Sequence, residues 1–260
     1  MFYSENFIFD GKKSSEYGVI LVSSENSVLN EYGTSFESNL ISDKSLTSIE
    51  EVVFDEEITT NTMELRIALV DENHLPIPWT VKKRNEILGW LVQDNFKAFS
   101  TEDEPEVLYY LKCVGVKKEF AYDLTGMLVL TMKPISPYAY TPIVIEKHKT
   151  VKGEIEFIIN NPSNISKKYY PEIEITSLGE GEHIQIFNTV LGGTPFSITN
   201  LKDREVVVID GLLKTVFNQN GESKLTDCNR EWLKLIRGQN LIKIKGNCEI
   251  SIKCQYPILV

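Results

Sequence analysis

Three histidines and four cysteines are the side chains of this 260-residue sequence best suited to hold a metal or attack a bond, and their spacing serves neither purpose. His74, His148 and His183 lie far apart with no H-E-x-x-H among them, and Cys113, Cys228, Cys248 and Cys254 include no C-x-x-C pair. Structural or catalytic zinc needs three or four such ligands at close spacing, so no metal is expected. Nucleophilic catalysis would want a G-x-S-x-G elbow or a cysteine with a positioned histidine, and the sequence has neither. Cys113 sits in the apolar run Tyr109-Tyr110-Leu111-Lys112-Cys113-Val114, where an inert packing role is the simpler one. Gly179-Glu180-Gly181 fails both the dinucleotide and the P-loop patterns, so no cofactor is expected. The 37 Asp and Glu residues always permit some carboxylate pair, but abundance names no acid, base or nucleophile. The expectation is a protein that is not an enzyme, with a cell-wall-degrading activity the weakest alternative. Trp232, Tyr169 and Tyr170 keep a third option open, because exposed aromatic rings can stack sugars. Trp232 lies in Asn229-Arg230-Glu231-Trp232-Leu233-Lys234-Leu235-Ile236, which reads more simply as a turn capping a core.

The elements that must position these residues come from a globular composition, 42% hydrophobic and 25% charged. Net charge is −10, with no Lys or Arg run long enough to neutralise several phosphates, which removes the main source of nucleic-acid affinity. Acidic clusters stand at Glu50, Glu51, Asp55, Glu56 and Glu57 and at Glu102, Asp103 and Glu104, read as solvated edges. Met1-Phe2-Tyr3-Ser4-Glu5-Asn6 has no basic start or apolar stretch, so neither export nor a membrane anchor is expected. Cys248 and Cys254 fall six apart in one extended run, roughly 20 Å at ~3.3 Å per residue, too far for a disulfide. Reduced thiols fit assembly in a bacterial cytoplasm.

Period-two alternation dominates. In the second half it predicts strands over 154–159, 172–176, 183–190, 196–199, 205–209, 212–217, 241–245 and 248–255. Turn signals at Gly192-Gly193, Asp210-Gly211, Asn220-Gly221 and Gly246-Asn247 separate them, each read as supplying the positive φ of a tight hairpin. In the first half, strands are predicted over 6–9, 19–22, 50–54, 64–70, 108–116 and 127–132. One helix follows Pro78, with Thr80 as its N-cap and Val81, Ile87, Leu88 and Leu91 near one face, Trp90 and Leu91 forming its buried end. Residues 25–48, rich in Ser, Asn and Glu, look like a long loop or arm. Three prolines in 133–142 make an extended connector and set the domain boundary there. The fold class expected is mainly β: an N-terminal β-sandwich-type domain with one covering helix (1–138), then a galectin-like or jelly-roll β-sandwich (139–260).

Several of these segments resemble the distal tail protein family of siphophages. Phe7-Ile8-Phe9-Asp10-Gly11, followed by Tyr17-Gly18-Val19, is similar to that family's opening aromatic strand, tight turn and aromatic-Gly-aliphatic pair. Arg84, Ile87, Trp90 and Leu91 resemble its R-x-x-I-x-x-W-L helix, and Ser136-Pro137-Tyr138-Ala139 its exit from the first domain. Gly238-Gln239-Asn240-Leu241-Ile242-Lys243-Ile244-Lys245-Gly246 is similar to its recurrent G-x-N-x-I-x-I-x-G strand. The positions taken to define the fold are Phe7, Phe9, Gly11, Gly18, Arg84, Trp90, Leu91 and Pro137. The resemblance implies a virion tail component: a homohexameric ring touching the tail tube protein on one side and a tail-tip, tail-fibre or receptor-binding protein on the other. DNA would pass through the lumen without sequence-specific binding. It also leaves room for a carbohydrate-binding host-recognition module in the second domain.

Overall fold

The computed structural model describes residues 5–22, 36–43 and 52–260. The chain divides into two compact units, Met1–Tyr140 with Leu259–Val260, and Thr141–Ile258. Glu50, Glu51 and most of the predicted 25–48 loop lie outside the described residues.

In the first unit the strands are β1 (Phe7–Phe9), β2 (Lys12–Lys13), β3 (Val19–Leu21), β4 (Phe36–Asp43) and β5 (Val52–Thr60). They continue with β6 (Met63–Leu69), β7 (Lys97–Thr101), β8 (Tyr109–Phe120), β9 (Gly126–Pro134) and β10 (Ala139–Tyr140). Seven of them form one antiparallel sheet, ordered β2-β1-β7-β8-β9-β6-β3. Strand β6 shows why: Met63, Leu65, Ile67 and Leu69 are buried while Glu64 between them is exposed, the signature of one dry and one wetter face. Strands β4 and β5 pair separately, from Phe36↔Thr60 to Asp43↔Val52. Part of the predicted loop is therefore a strand, formed by a backbone partner that its polar composition does not advertise.

The one α-helix among the described residues, α1 (Val81–Leu91), begins where Thr80 Oγ1 accepts the Lys83 N–H at 3.2 Å. It buries Ile87, Trp90 and Leu91, an i, i+3, i+4 stripe. Val81 departs from the expected face and is 64% exposed. At 3.6 residues per turn it projects roughly 120° away from the buried stripe.

The second unit contains β11 (Val144–Val151), β12 (Glu154–Asn161), β13 (Glu172–Ser177), β14 (Glu182–Asn188) and β15 (Phe196–Leu201). After these come β16 (Val206–Asp210), β17 (Thr215–Asn218), β18 (Gly238–Lys245), β19 (Cys248–Cys254) and the short β20 (Pro257–Ile258). Two antiparallel sheets, β11-β19-β13-β16-β17 and β12-β18-β14-β15, enclose a single core. Ile173, Ile175, Val207, Ile209, Ile250 and Ile252 face it from one sheet, and Ile184, Ile186, Ile198, Ile242 and Ile244 from the other. Each such fully buried side chain contributes about 1.5–3 kcal/mol. A polar network is buried in the same unit. Asn240, with no exposed surface, takes the Ile236 N–H (2.8 Å) and the Asn188 amide (2.7 Å) on its Oδ1, and donates from Nδ2 to the carbonyls of Ile236 and Gly238.

One turn differs from its sequence reading. Gly211 does not sit at positive φ; Lys214 does, at 58°, so the chain turns through residues 211–214 and β17 starts only at Thr215. Gly211 is needed for space instead, since a Cβ there would lie 2.7 Å from the Pro171 carbonyl oxygen.

Candidate functional site

Among the first-unit residues that resemble the tail family's motifs, Phe7, Phe9 and Tyr17 converge on Trp90. Alternation in β1 points Phe7 and Phe9 inward, 1% and 0% exposed. Asp10 and Gly11, both at positive φ, make the two-residue hairpin turn that sends the chain back as β2. A 3-10 turn (Ser14–Tyr17) then ends on Gly18, whose φ of 65° lets its N–H reach the Ser14 and Ser15 carbonyls. That turn delivers Tyr17 onto one face of the Trp90 indole (centroids 4.2 Å, planes 9° apart), while Phe7 stacks on the indole at 5.6 Å and 4°. The indole Nε1 donates to the Phe9 carbonyl at 3.0 Å. Leu91 is buried beside it, Arg84 is half-buried on the helix, and Pro137 is half-buried ahead of β10. The cluster has no acid, base or nucleophile; what it does is lock the strand, the turn and the helix together. Two buried residues of the first unit, one in this cluster and one outside it, escaped sequence reasoning. Ser14 is fully buried with its Oγ accepting the Phe7 N–H, and Trp79 is buried with Nε1 donating to the Gly126 carbonyl. A lone serine and a tryptophan outside the helical stripe give no signal that a sequence reading would weigh.

In the second unit Tyr169, Tyr170 and Trp232 do not come together as one open platform. Tyr169 packs on Tyr256 (4.9 Å) and its hydroxyl accepts the Gln255 N–H, which fixes it against the core. Tyr170 has the Lys214 ammonium 3.3 Å from its ring centre, and the same ammonium lies 5.2 Å from the Trp232 ring. Trp232 is half-buried against Phe196 and also borders a cavity with Lys168, Glu231 and Lys234.

Among the described residues no group of three His, Cys, Asp or Glu side chains is placed to hold a metal. Burial pushes the Cys248 thiol up to about 12 and Cys254 up to about 11, and raises Cys113 as well, so none is a thiolate near neutral pH. Among the described residues the one buried carboxylate, Glu205, is structural. Burial alone would raise Glu205, but the Lys202 N–H, the Asn218 amide and the Lys224 ammonium bring it below the usual carboxylate range. A lowered carboxyl stabilises the fold above its unfolded pKa of about 4.3 and loses that contribution as pH falls through the folded value. Glu205→Gln should therefore lower stability at pH 7 by about 1–3 kcal/mol and flatten the acid limb of a stability-against-pH curve. Equal slopes for both proteins below pH 4 would remove Glu205 from that role.

Comparison with known proteins places this arrangement. A family described as "Phage tail protein N-terminal domain" matches residues 2–134, and one described as "Phage tail C-terminal domain" matches residues 138–254. The SPbeta prophage-derived protein YomH of Bacillus subtilis (strain 168) is 26% identical over 260 residues, 98% of each chain. Among solved structures, the Dit (gp 19.1) protein of SPP1 is similar with a TM-score of 0.64 at 15% identity, covering 96% of this chain and 98% of that one. A chain of the phage p2 baseplate in its activated conformation with Sr is similar with a TM-score of 0.52 at 13% identity, covering 96% and 97%. The fold is thus Dit-like, mainly β with one helix, in agreement with the resemblance seen in the sequence.

Proposed function

The chain belongs to the phage tail protein family, carrying its N-terminal and C-terminal domains in order, and on that premise we propose that it is a distal tail hub. In this role its first domain closes a homohexameric ring that joins the tail tube protein to a tail-tip, tail-fibre or receptor-binding protein. The observation that carries the reading is that the chain follows SPP1 Dit over nearly its whole length; that protein is described as a paradigm of the hub adsorption apparatus in phages infecting Gram-positive bacteria.

Physical features of the chain support it. A ring of identical subunits needs two different patches per copy, joined head to tail. The first unit leaves Leu75, Val81, Tyr122 and Leu124 more than half exposed, on segments tied together by the Trp79 N–H donating to the Leu124 carbonyl. Exposed apolar side chains on neighbouring segments suit a contact surface. The sheet ends at β2, whose Lys12 and Lys13 guard that edge, and at β3, which carries only apolar side chains. The net charge of −10 lets duplex DNA pass a lumen without being held.

Mass in solution tests the proposal. The purified chain, at 29.7 kDa per copy, should form a sixfold species and a central-holed ring in negative stain. Changing Tyr122 and Leu124 together to Glu should leave a folded monomer. A wild-type chain that stays monomeric at every concentration, with tail tube protein present, would overturn it.

A further inference from the structure

The cavity bordered by Trp232 is lined by residues of the second unit, none of them among those named above for ring closure. Its volume is about 190 Å³, and Lys168, Lys234, Glu231 and Thr194 share the wall with the indole and the Gly192-Gly193 turn. At ~30 Å³ per water molecule this is room for roughly six waters, the size of one sugar ring or a short polyol.

Charge is the unusual feature. In a chain of net charge −10, two lysines and one glutamate line this wall. A third lysine, Lys214, stands against the same indole, its Nζ 5.2 Å from the ring centre. That Nζ is buried and has no hydrogen-bond partner, although buried ammonium groups are normally paired. The ring of Tyr170 offsets part of that cost through a cation–π contact at 3.3 Å. Burial, and then the like charge of Lys234, lower the pKa of Lys214, with Asp210 opposing them. Among the described residues no carboxylate lies within ion-pair distance of Lys168, Lys214 or Lys234. Two lysines against the single Glu231 leave this wall with an excess of positive charge, Lys214 adds to it from beside the same indole, and a bound anion would balance the excess. The indole, the Thr194 hydroxyl and the unhindered backbone of Gly192 and Gly193 suit a ligand with a ring or carbon chain and hydroxyl groups.

We infer that this cavity binds a sugar or polyol carrying a phosphate or carboxylate group, with Lys168 and Lys234 facing the anion and Trp232 against the carbon skeleton. Neutral sugars and bare anions each meet only half of these contacts.

Titration calorimetry on the full-length chain at low salt, with glucose 6-phosphate, glucose and inorganic phosphate as probes, tests the assignment. Glucose 6-phosphate should bind at least tenfold more tightly than either of the others, and binding should weaken as salt is raised. The double variant Lys168→Glu/Lys234→Glu should lose at least tenfold in affinity while its melting curve stays that of the wild type. If inorganic phosphate binds as tightly as the sugar phosphate, the polyol part is overturned. Equal binding of glucose would overturn the anionic part, and no binding of any probe, or an unaffected double variant, would overturn the site.

Discussion

Trp90→Ala is expected to destabilise the N-terminal unit by about 3–5 kcal/mol, the usual cost of removing a large aromatic side chain from a filled core. The size follows from what the indole touches. Phe7 and Tyr17 stack on it, Phe9 meets it edge-on at 6.2 Å, and its N–H satisfies the Phe9 carbonyl. Aromatic pairs of this kind add about 0.5–1.5 kcal/mol each beyond burial. Trp90→Phe keeps most of the volume and loses the hydrogen bond, so an intermediate loss of about 1–2 kcal/mol is expected. Urea unfolding followed by fluorescence, with Trp79 and Trp232 as remaining reporters, reads both changes. An alanine variant within 1 kcal/mol of wild type would show that the helix is not fastened to β1 through this ring.

The second large effect belongs to Asn240. Replacing it with Leu, nearly the same size, should cost about 3 kcal/mol or more, because several polar groups around it lose a partner at once. The Ile236 N–H, the Asn188 amide and the Ile236 and Gly238 carbonyls all bond to this side chain. Each buried polar group left unmade costs about 1–3 kcal/mol, although some here regain water. Asn240→Asp keeps the acceptor and loses the donor, and should fall between the two. If the Leu variant matched wild type in midpoint and in slope, the network would be incidental to folding.

The strands of the sandwich were legible because burial follows strict alternation: Ile242 and Ile244 in β18 and Ile250 and Ile252 in β19 are inward while their neighbours are not. The helix was legible through Thr80 and the 87–90–91 stripe. Strand β7 is not legible in the sequence, because Lys97-Ala98-Phe99-Ser100-Thr101 buries a serine and a threonine beside its phenylalanine, which defeats an apolar pattern. Strand β11 is hidden for a related reason, its centre being Glu146-Lys147-His148-Lys149. At the cavity, the sequence offered Trp232 as an aromatic but gave no hint of Lys214, since their meeting depends on a turn whose φ values no dipeptide rule fixes. Tyr169 was legible as aromatic and not as inward-facing, because its hydroxyl partner, the Gln255 N–H, lies far along the chain.

The protonated sulfurs on β19 have a use of their own. Cys248 and Cys254 are 0% and 3% exposed and point into the same interior, so an alkylating reagent meets them only after the two sheets part. Cys228, half-buried with its S–H directed at the Leu225 carbonyl, stands nearer the surface. The chain therefore carries a graded chemical clock: early labelling at position 228 reports breathing of one loop, and later labelling at 248 and 254 counts full openings of the sandwich.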